Sequence, residues 1–149
     1  MERRRHYVLT SDVADANAYA GTVSIPVAVE DLISATGEYG WAYLLTVRDD
    51  LRPHIVAVAP AWDGEELTMR VGRGTAHNVA ERSAVTLCYP PVVDGGHSLI
   101  VDADAAVDGD AGVRLVPTGA VLHRPAGNSG IGSSTGCESD CEPVGPSGG

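Results

Sequence analysis

Phenylalanine and lysine are both absent from this chain of 149 residues, and aromatic residues of all kinds make up only 5% of it. Without phenylalanine, a core has to be built from the aliphatic side chains of Val, Leu, Ile and Ala. Without lysine, every fixed positive charge is an arginine, so an anion site can draw only on guanidinium groups, histidine rings and backbone amides. Positive charge is scarce as well: ten basic residues face twenty acidic ones, for a formal net charge of -10. That balance argues against a general nucleic-acid or anionic-membrane surface, since both need a basic face to displace counterions. A small local phosphate site remains compatible with it. Cysteines number three, Cys88, Cys137 and Cys141, too few for a disulfide framework, and a reduced cytoplasmic setting is expected. The opening Met-Glu-Arg-Arg-Arg-His is basic, but no apolar run follows that suits a signal peptide or a membrane span.

What is present reads as one domain with two polar ends. Residues 1–24 mix basic, acidic and small residues without a sustained period and are expected to form an arm. Ile25-Pro26 punctuates the chain. Val29, Leu32 and Ile33 then recur at helical spacing and predict a short amphipathic helix ending at Gly37. From Trp41 the texture turns to β, with strands expected over 41–48, 53–59, 66–71, 84–89, 98–107 and 112–123. Turns at Asp49-Asp50, Asp63-Gly64 and Asp108-Gly-Asp110 connect them, Asp63-Gly64 being read as the hairpin between the second and third strands. A mainly β domain follows, a small six-stranded antiparallel barrel with two short helices over residues 25–125. Residues 126–149 are rich in Gly, Ser and Pro with almost nothing to bury, and a disordered tail is expected there. No metal site is expected. Cys137-x-x-x-Cys141 lacks zinc-knuckle spacing, and Asp102, Asp104, Asp108 and Asp110 lack the glycine and terminal glutamate of a calcium loop.

Chemistry concentrates in Val71-Gly-Arg-Gly-Thr-Ala-His-Asn-Val-Ala-Glu-Arg, where a strand runs out and a helix begins. Gly72 and Gly74 loosen the backbone, and Thr75 is placed to act as the N-cap of a helix through Arg82. The first amides of a helix lack internal partners and sit at the positive end of its dipole, so the turn suits a phosphate. Arg73 can add a bidentate fork, and Thr75 and His77 further donors. The same residues equally describe a plain strand-turn-helix connection with Arg73 and His77 in solvent. Neither a nucleotide P-loop nor a dinucleotide fingerprint is present.

Arg73-Gly-Thr-Ala-His-Asn-Val-Ala-Glu-Arg-Ser-Ala-Val-Thr-Leu resembles the strand-loop-helix segment of the pyridoxamine 5'-phosphate oxidase-like, flavin-binding split-barrel family. So do Trp41-Ala-Tyr-Leu-Leu-Thr-Val, Arg52-Pro-His-Ile-Val-Ala-Val, Trp62-Asp-Gly-Glu-Glu-Leu-Thr and Pro117-Thr-Gly-Ala-Val-Leu-His-Arg-Pro, in the family's order. The resemblance implies a split barrel and a homodimer with the cofactor at the subunit interface. It also implies FMN as cofactor, with the deazaflavin F420 as an alternative, in an oxidoreductase acting on a small molecule. A non-catalytic flavin or haem binder is the remaining reading. On the same grounds the cofactor-binding residues are Arg70, Arg73 and Thr75, with His77 nearby, and His54 and Asn78 along the ring; no catalytic residue is implied. Family members often carry lysine at the position of Thr75 and arginine at that of His77, so this chain offers less positive charge. Members that oxidise pyridoxamine phosphate also carry an additional basic C-terminal segment, for which His123-Arg124 is a weak substitute. The F420 reading draws on Arg3, Arg4 and Arg5 of the arm. Trp41 and Trp62 are expected to pack rather than to cover a ring.

Overall fold

The computed structural model describes residues 24–125. The expected arm up to residue 23, with Arg3, Arg4 and Arg5, and the tail from residue 126, with Cys137 and Cys141, lie outside the described residues.

Eight strands and two helices follow in the order β1 (Ser24–Val27), α1 (Leu32–Thr36), β2 (Ala42–Val47), β3 (Pro53–Val58), β4 (Ala61–Asp63), β5 (Glu66–Arg70), α2 (Arg73–Glu81), β6 (Ala84–Tyr89), β7 (Ser98–Asp108) and β8 (Gly112–His123). The expected antiparallel barrel is present, with β1 and β4 added to the six strands read from the pattern. All the strands form one sheet, ordered β3-β2-β6-β7-β8-β5-β4, with β1 also on β8. β3 and β4 stand at opposite ends of that path, yet only Ala59 and Pro60 separate them in the chain. So short a link spans roughly 10 Å at most, which curls the two ends of the sheet toward each other. The Asp63-Gly64 turn, with Gly64 at φ 64°, therefore joins β4 to β5 and not β3 to β5 as expected. Pro60, which has no N–H for a ladder, accompanies the break between β3 and β4.

β8 is the strand that splits the barrel. One edge pairs with β7 along its length, while the other pairs with β5 over Leu115 to Gly112 and with β1 over Ala120 to His123. Between Asp102↔Gly119 and Ala103↔Pro117 the register shifts by one, leaving Thr118 as the extra residue of a bulge. Pro117 falls at this bulge, where a missing donor costs least. The shift also reverses the inward phase of the strand: Val113, Leu115 and Pro117 are buried before it and Leu122 after it.

The interior is aliphatic, as the lack of phenylalanine requires. Leu32, Leu44, Leu67, Leu87, Leu99 and Leu115 are among its largest fully buried side chains. The first helix is shorter than its pattern suggested. A single 3-10 turn (Val29–Asp31) precedes α1, and Leu32 and Thr36 face inward while Val29 and Ile33 are exposed. Thr36 is satisfied there by donating to the Leu32 carbonyl at 2.8 Å and accepting the Trp62 indole N–H at 2.8 Å. Trp62 thus packs as expected. Trp41 does not: it is 43% exposed and meets Tyr43 edge to face, with ring centroids 4.7 Å apart. Among the described residues no helix is long and apolar enough to cross a membrane.

Candidate functional site

β5 delivers Arg70 to the mouth of α2. The Val71 N–H donates to the Ala111 carbonyl at 2.8 Å, holding the connection to the β7–β8 hairpin, and Gly72 follows in an extended conformation as the N-cap. The helix therefore begins three residues earlier than a Thr75 cap implied. Ala76 N–H closes the first turn on the Gly72 carbonyl at 3.0 Å, and no side chain caps the amides before it. The N–H groups of Arg73, Gly74 and Thr75 thus have no intrahelical acceptor. A Cβ added at Gly72 or Gly74 would meet nothing within 4 Å, so no protein atom crowds the backbone there. Arg70 and Arg73 are exposed on either side of Gly72.

Ion pairing occupies four of the other five described arginines. Arg48 and Arg52 meet Asp50, Arg82 meets Asp49, and Arg114 meets Asp63, Glu66 and Asp108. Among the described residues neither Arg70 nor Arg73 has a carboxylate partner, although acids outnumber arginines two to one in the chain. An uncapped helix onset between two unpaired guanidinium groups is a donor set suited to a terminal phosphate.

Thr75, Asn78 and His54 come together on the other side of the helix, in the seam with the sheet. Thr46 and His54 face each other across β2 and β3. Each reaches one side chain of α2, three residues apart on the same helix face. Asn78 Nδ2 donates to Thr46 Oγ1 at 3.0 Å, and Thr75 Oγ1 lies 3.3 Å from His54 Nε2. Thr46, Thr75 and Asn78 are all buried, so these bonds satisfy polar groups that water cannot reach. Thr75 turns its hydroxyl inward rather than onto the helix amides.

His77 joins neither group. Its Nε2 lies 2.8 Å from Asp49 Oδ2 on the β2–β3 turn, while Arg82 Nη1 donates to Asp49 Oδ1 at 3.1 Å. The hydrogen bond from His77, and then that from Arg82, hold the Asp49 carboxyl below the usual carboxylate range. Asp49 thereby links the turn to α2 on an exposed surface.

Of the six residues read from the sequence, Arg70 and Arg73 thus flank the helix onset, His54, Thr75 and Asn78 fasten the helix from beneath, and His77 fastens it from the side. Two partners escaped that reading. Thr46 was legible, being a polar residue in the inward phase Ala42-Leu44-Thr46. Asp49 carried no such signal.

A groove of about 370 Å³ opens elsewhere, against the outer face of the sheet, lined by residues that include Leu45, Val47, Pro53, Thr86 and Asp102. None of the six residues lines it. Thr86 donates to Asp102 across it at 2.7 Å. Asp102 and Asp104 are outward strand positions, as their spacing suggested, and among the described residues no group of three or more His, Cys, Asp or Glu is arranged to hold a metal ion.

No family model matches the chain. An uncharacterized protein of Mycobacterium bovis is 40% identical over 126 residues, covering 74% of this chain and 89% of the relative. A candidate pyridoxamine 5'-phosphate oxidase of Listeria innocua superposes with a TM-score of 0.54 at 14% identity, over 63% of this chain and 96% of that one. An FAD binding protein of Mycobacterium smegmatis gives 0.52 at 18% identity, over 68% and 99%. Identities this low speak to fold alone. The chain belongs to the family of the uncharacterized Mycobacterium bovis protein, and its fold is the split barrel of the pyridoxamine 5'-phosphate oxidase-like proteins.

Proposed function

We propose that this protein binds a flavin-type cofactor, FMN in the first instance, and serves as an oxidoreductase for a small molecule. One observation carries the reading: the open onset of α2, with uncapped amides and with Arg70 and Arg73 unpaired among the described residues. In the proposed complex these groups hold the cofactor phosphate. Gly72 and Gly74 let it approach the backbone, and the His54–Thr75 and Thr46–Asn78 bonds keep the helix in place behind it. A bound flavin supplies hydride or electron transfer; the protein's part is to grip, orient and shield it. The likeness to an FAD binding protein of the same fold supports the cofactor class without deciding among its members.

The proposal includes a twofold homodimer with the cofactor at the subunit interface. The outer face of β2 and β3 supports it, since Trp41, Tyr43 and Ile55 are 43%, 40% and 55% exposed there and form an apolar surface that a second copy would cover. The sparse cysteines favour a cytoplasmic setting. A second reading, a flavin or haem binder without turnover, draws on the inward engagement of Thr75 and the Asp49 pairing of His77, which leave the onset two arginines only. F420 in place of FMN is the third reading.

The test is uptake of FMN by the purified full-length chain, followed by quenching of flavin fluorescence, with FAD, F420 and haem in parallel. Saturable FMN binding weakened about tenfold or more in Arg70→Gln/Arg73→Gln is expected, the loss typical of charge-assisted hydrogen bonds to phosphate. Absence of uptake of any of the four would end the proposal. Turnover of bound cofactor with a reductant separates the enzyme from the silent binder.

A further inference from the structure

The outer face of the sheet holds two carboxylates that the fold leaves without a counter-ion. Leu99, Val101 and Ala103 of β7 are buried, so Asp102 and Asp104 project from the opposite face, two residues or about 7 Å apart along the strand. The cross-strand neighbours are Thr86 and Gly119 for Asp102, and Ala84 and Val116 for Asp104; none of the four is charged. Among the described residues neither aspartate takes part in an ion pair. Both line the groove of about 370 Å³, whose wall is mostly apolar and includes Leu45, Val47, Pro53 and Ala84.

An occupant of this groove needs cationic heads on apolar stems, and arginine has both: its methylenes lie along apolar surface while the guanidinium forks onto carboxylate. Three of the chain's ten basic residues stand together as Arg3-Arg4-Arg5, and Tyr7-Val-Leu9 follows them. That segment is tethered on the same face. Ser24, where the described chain begins, pairs with His123, and His123 pairs with Ser98 of β7, four residues or about 13 Å along the strand from Asp102. Nineteen residues lead from Arg5 to Ser24, enough to reach roughly 60 Å when extended. The tether makes docking an intramolecular step with an effective concentration on the order of millimolar, so contacts too weak to hold a separate peptide suffice.

We propose that this groove is the docking site of the chain's own amino-terminal segment, with Arg3, Arg4 and Arg5 on Asp102 and Asp104 and their stems over Leu45 and Val47. Charge complementarity selects this occupant. A second copy brings the same net charge of -10, and the two aspartates repel nucleic acid and anionic lipid. Trp41, Tyr43 and Ile55 do not line the groove, so the docked segment and the proposed dimer face do not compete. Docking does compete with the F420 reading, which assigns the same arginines to the anionic tail of that cofactor. It rests on neither FMN nor the dimer.

The test is NMR of the full chain at low salt without cofactor, reading nuclear Overhauser contacts between the arginine methylenes of residues 3–5 and the methyls of Leu45 and Val47. These contacts are expected in the parent and should be lost in 1 M NaCl. Asp102→Asn/Asp104→Asn should lower the ratio of docked to free segment about tenfold; asparagine at 102 keeps an oxygen for the Thr86 hydroxyl, and melting curves verify folding. Arg3→Glu/Arg4→Glu/Arg5→Glu should abolish the contact between the two regions, and adding Asp102→Arg/Asp104→Arg should restore it. Neutralising two exposed acids outside the groove, in Glu30→Gln/Glu65→Gln, should leave the contacts in place. Their absence from the parent, their persistence in Asp102→Asn/Asp104→Asn, or an equal loss in Glu30→Gln/Glu65→Gln would overturn the proposal. Contacts that vanish on dilution would assign the groove to a second copy and overturn it equally.

Discussion

The bond between Asn78 and Thr46 gives the sharpest test of how α2 is held. Thr46 is 2% exposed, Asn78 5%, and the amide nitrogen lies 3.0 Å from the hydroxyl oxygen. Replacing Thr46 by Val keeps the shape of the side chain and strands the Asn78 donor in the interior, at a cost of about 1–3 kcal/mol. Asn78→Leu strands the Thr46 hydroxyl at a similar cost. In the double variant both polar groups are gone and an apolar contact replaces them, so the two losses should not add. We expect it to recover at least about 1 kcal/mol relative to their sum, as coupled neighbours do. Urea unfolding of the full chain measures this. With a slope of about 1–3 kcal/mol per molar, each single variant should lower the midpoint by about 1 M. Strict additivity, or a Thr46→Val midpoint equal to that of the parent, would show that the bond does not hold the helix and that Asn78 is free for another role.

Other perturbations test neighbouring parts of the same structure. Leu51 sits at φ 65° in the β2–β3 turn and is 73% exposed, so Leu51→Gly should relieve left-handed strain and raise stability by about 1 kcal/mol, read as a higher melting temperature. Asp49 titrates lower in the folded state than in the unfolded chain. Its contribution is therefore present above the ordinary carboxylate pKa and lost as pH falls through the folded value; Asp49→Asn should flatten the acid limb of a stability-pH curve. His97 runs in the same direction for a different reason: with its folded pKa depressed, protonation favours the unfolded chain, stability falls as pH drops below about 6.5, and His97→Gln should remove that slope. Burial pushes the Cys88 thiol up, so at neutral pH it should alkylate more slowly than a free thiol, a difference measured against Cys88→Ser.

Local chemistry made several elements readable in advance. β6 was bounded correctly, because Ser83 and Pro90 bracket six residues whose inward positions are Val85, Leu87 and Tyr89. The β7–β8 hairpin was signalled by Asp108-Gly-Asp110, where Gly109 adopts φ 68°. The onset of α2 was recognisable from Gly72 and Gly74, but the cap was misplaced by three residues. Thr75 is a good capping residue in isolation, and its hydroxyl went to His54 on another strand instead. β1 and β4 were missed because both are short: β1 contains Pro26 and is a strand only by virtue of β8, a partner far along the chain, while β4 is three residues long and was absorbed into the turn before β5.

The sequence by itself determined the class of the core, the alternation of most strands, the tight turns and the cluster of donors at one helix start, because these depend on side-chain volume, on period and on the backbone preferences of neighbouring residues. Only the tertiary structure decided which donors remain for a ligand. Thr75, Asn78 and His54 are consumed in fastening α2, His77 is drawn to Asp49, and Arg70 and Arg73 stay outside with no carboxylate partner among the described residues. Pairings of that kind join residues tens of positions apart, and no local pattern records them. The bulge at Thr118 and the two-partner edge of β8 share this origin, since cross-strand register is a property of the closed sheet and not of any one strand.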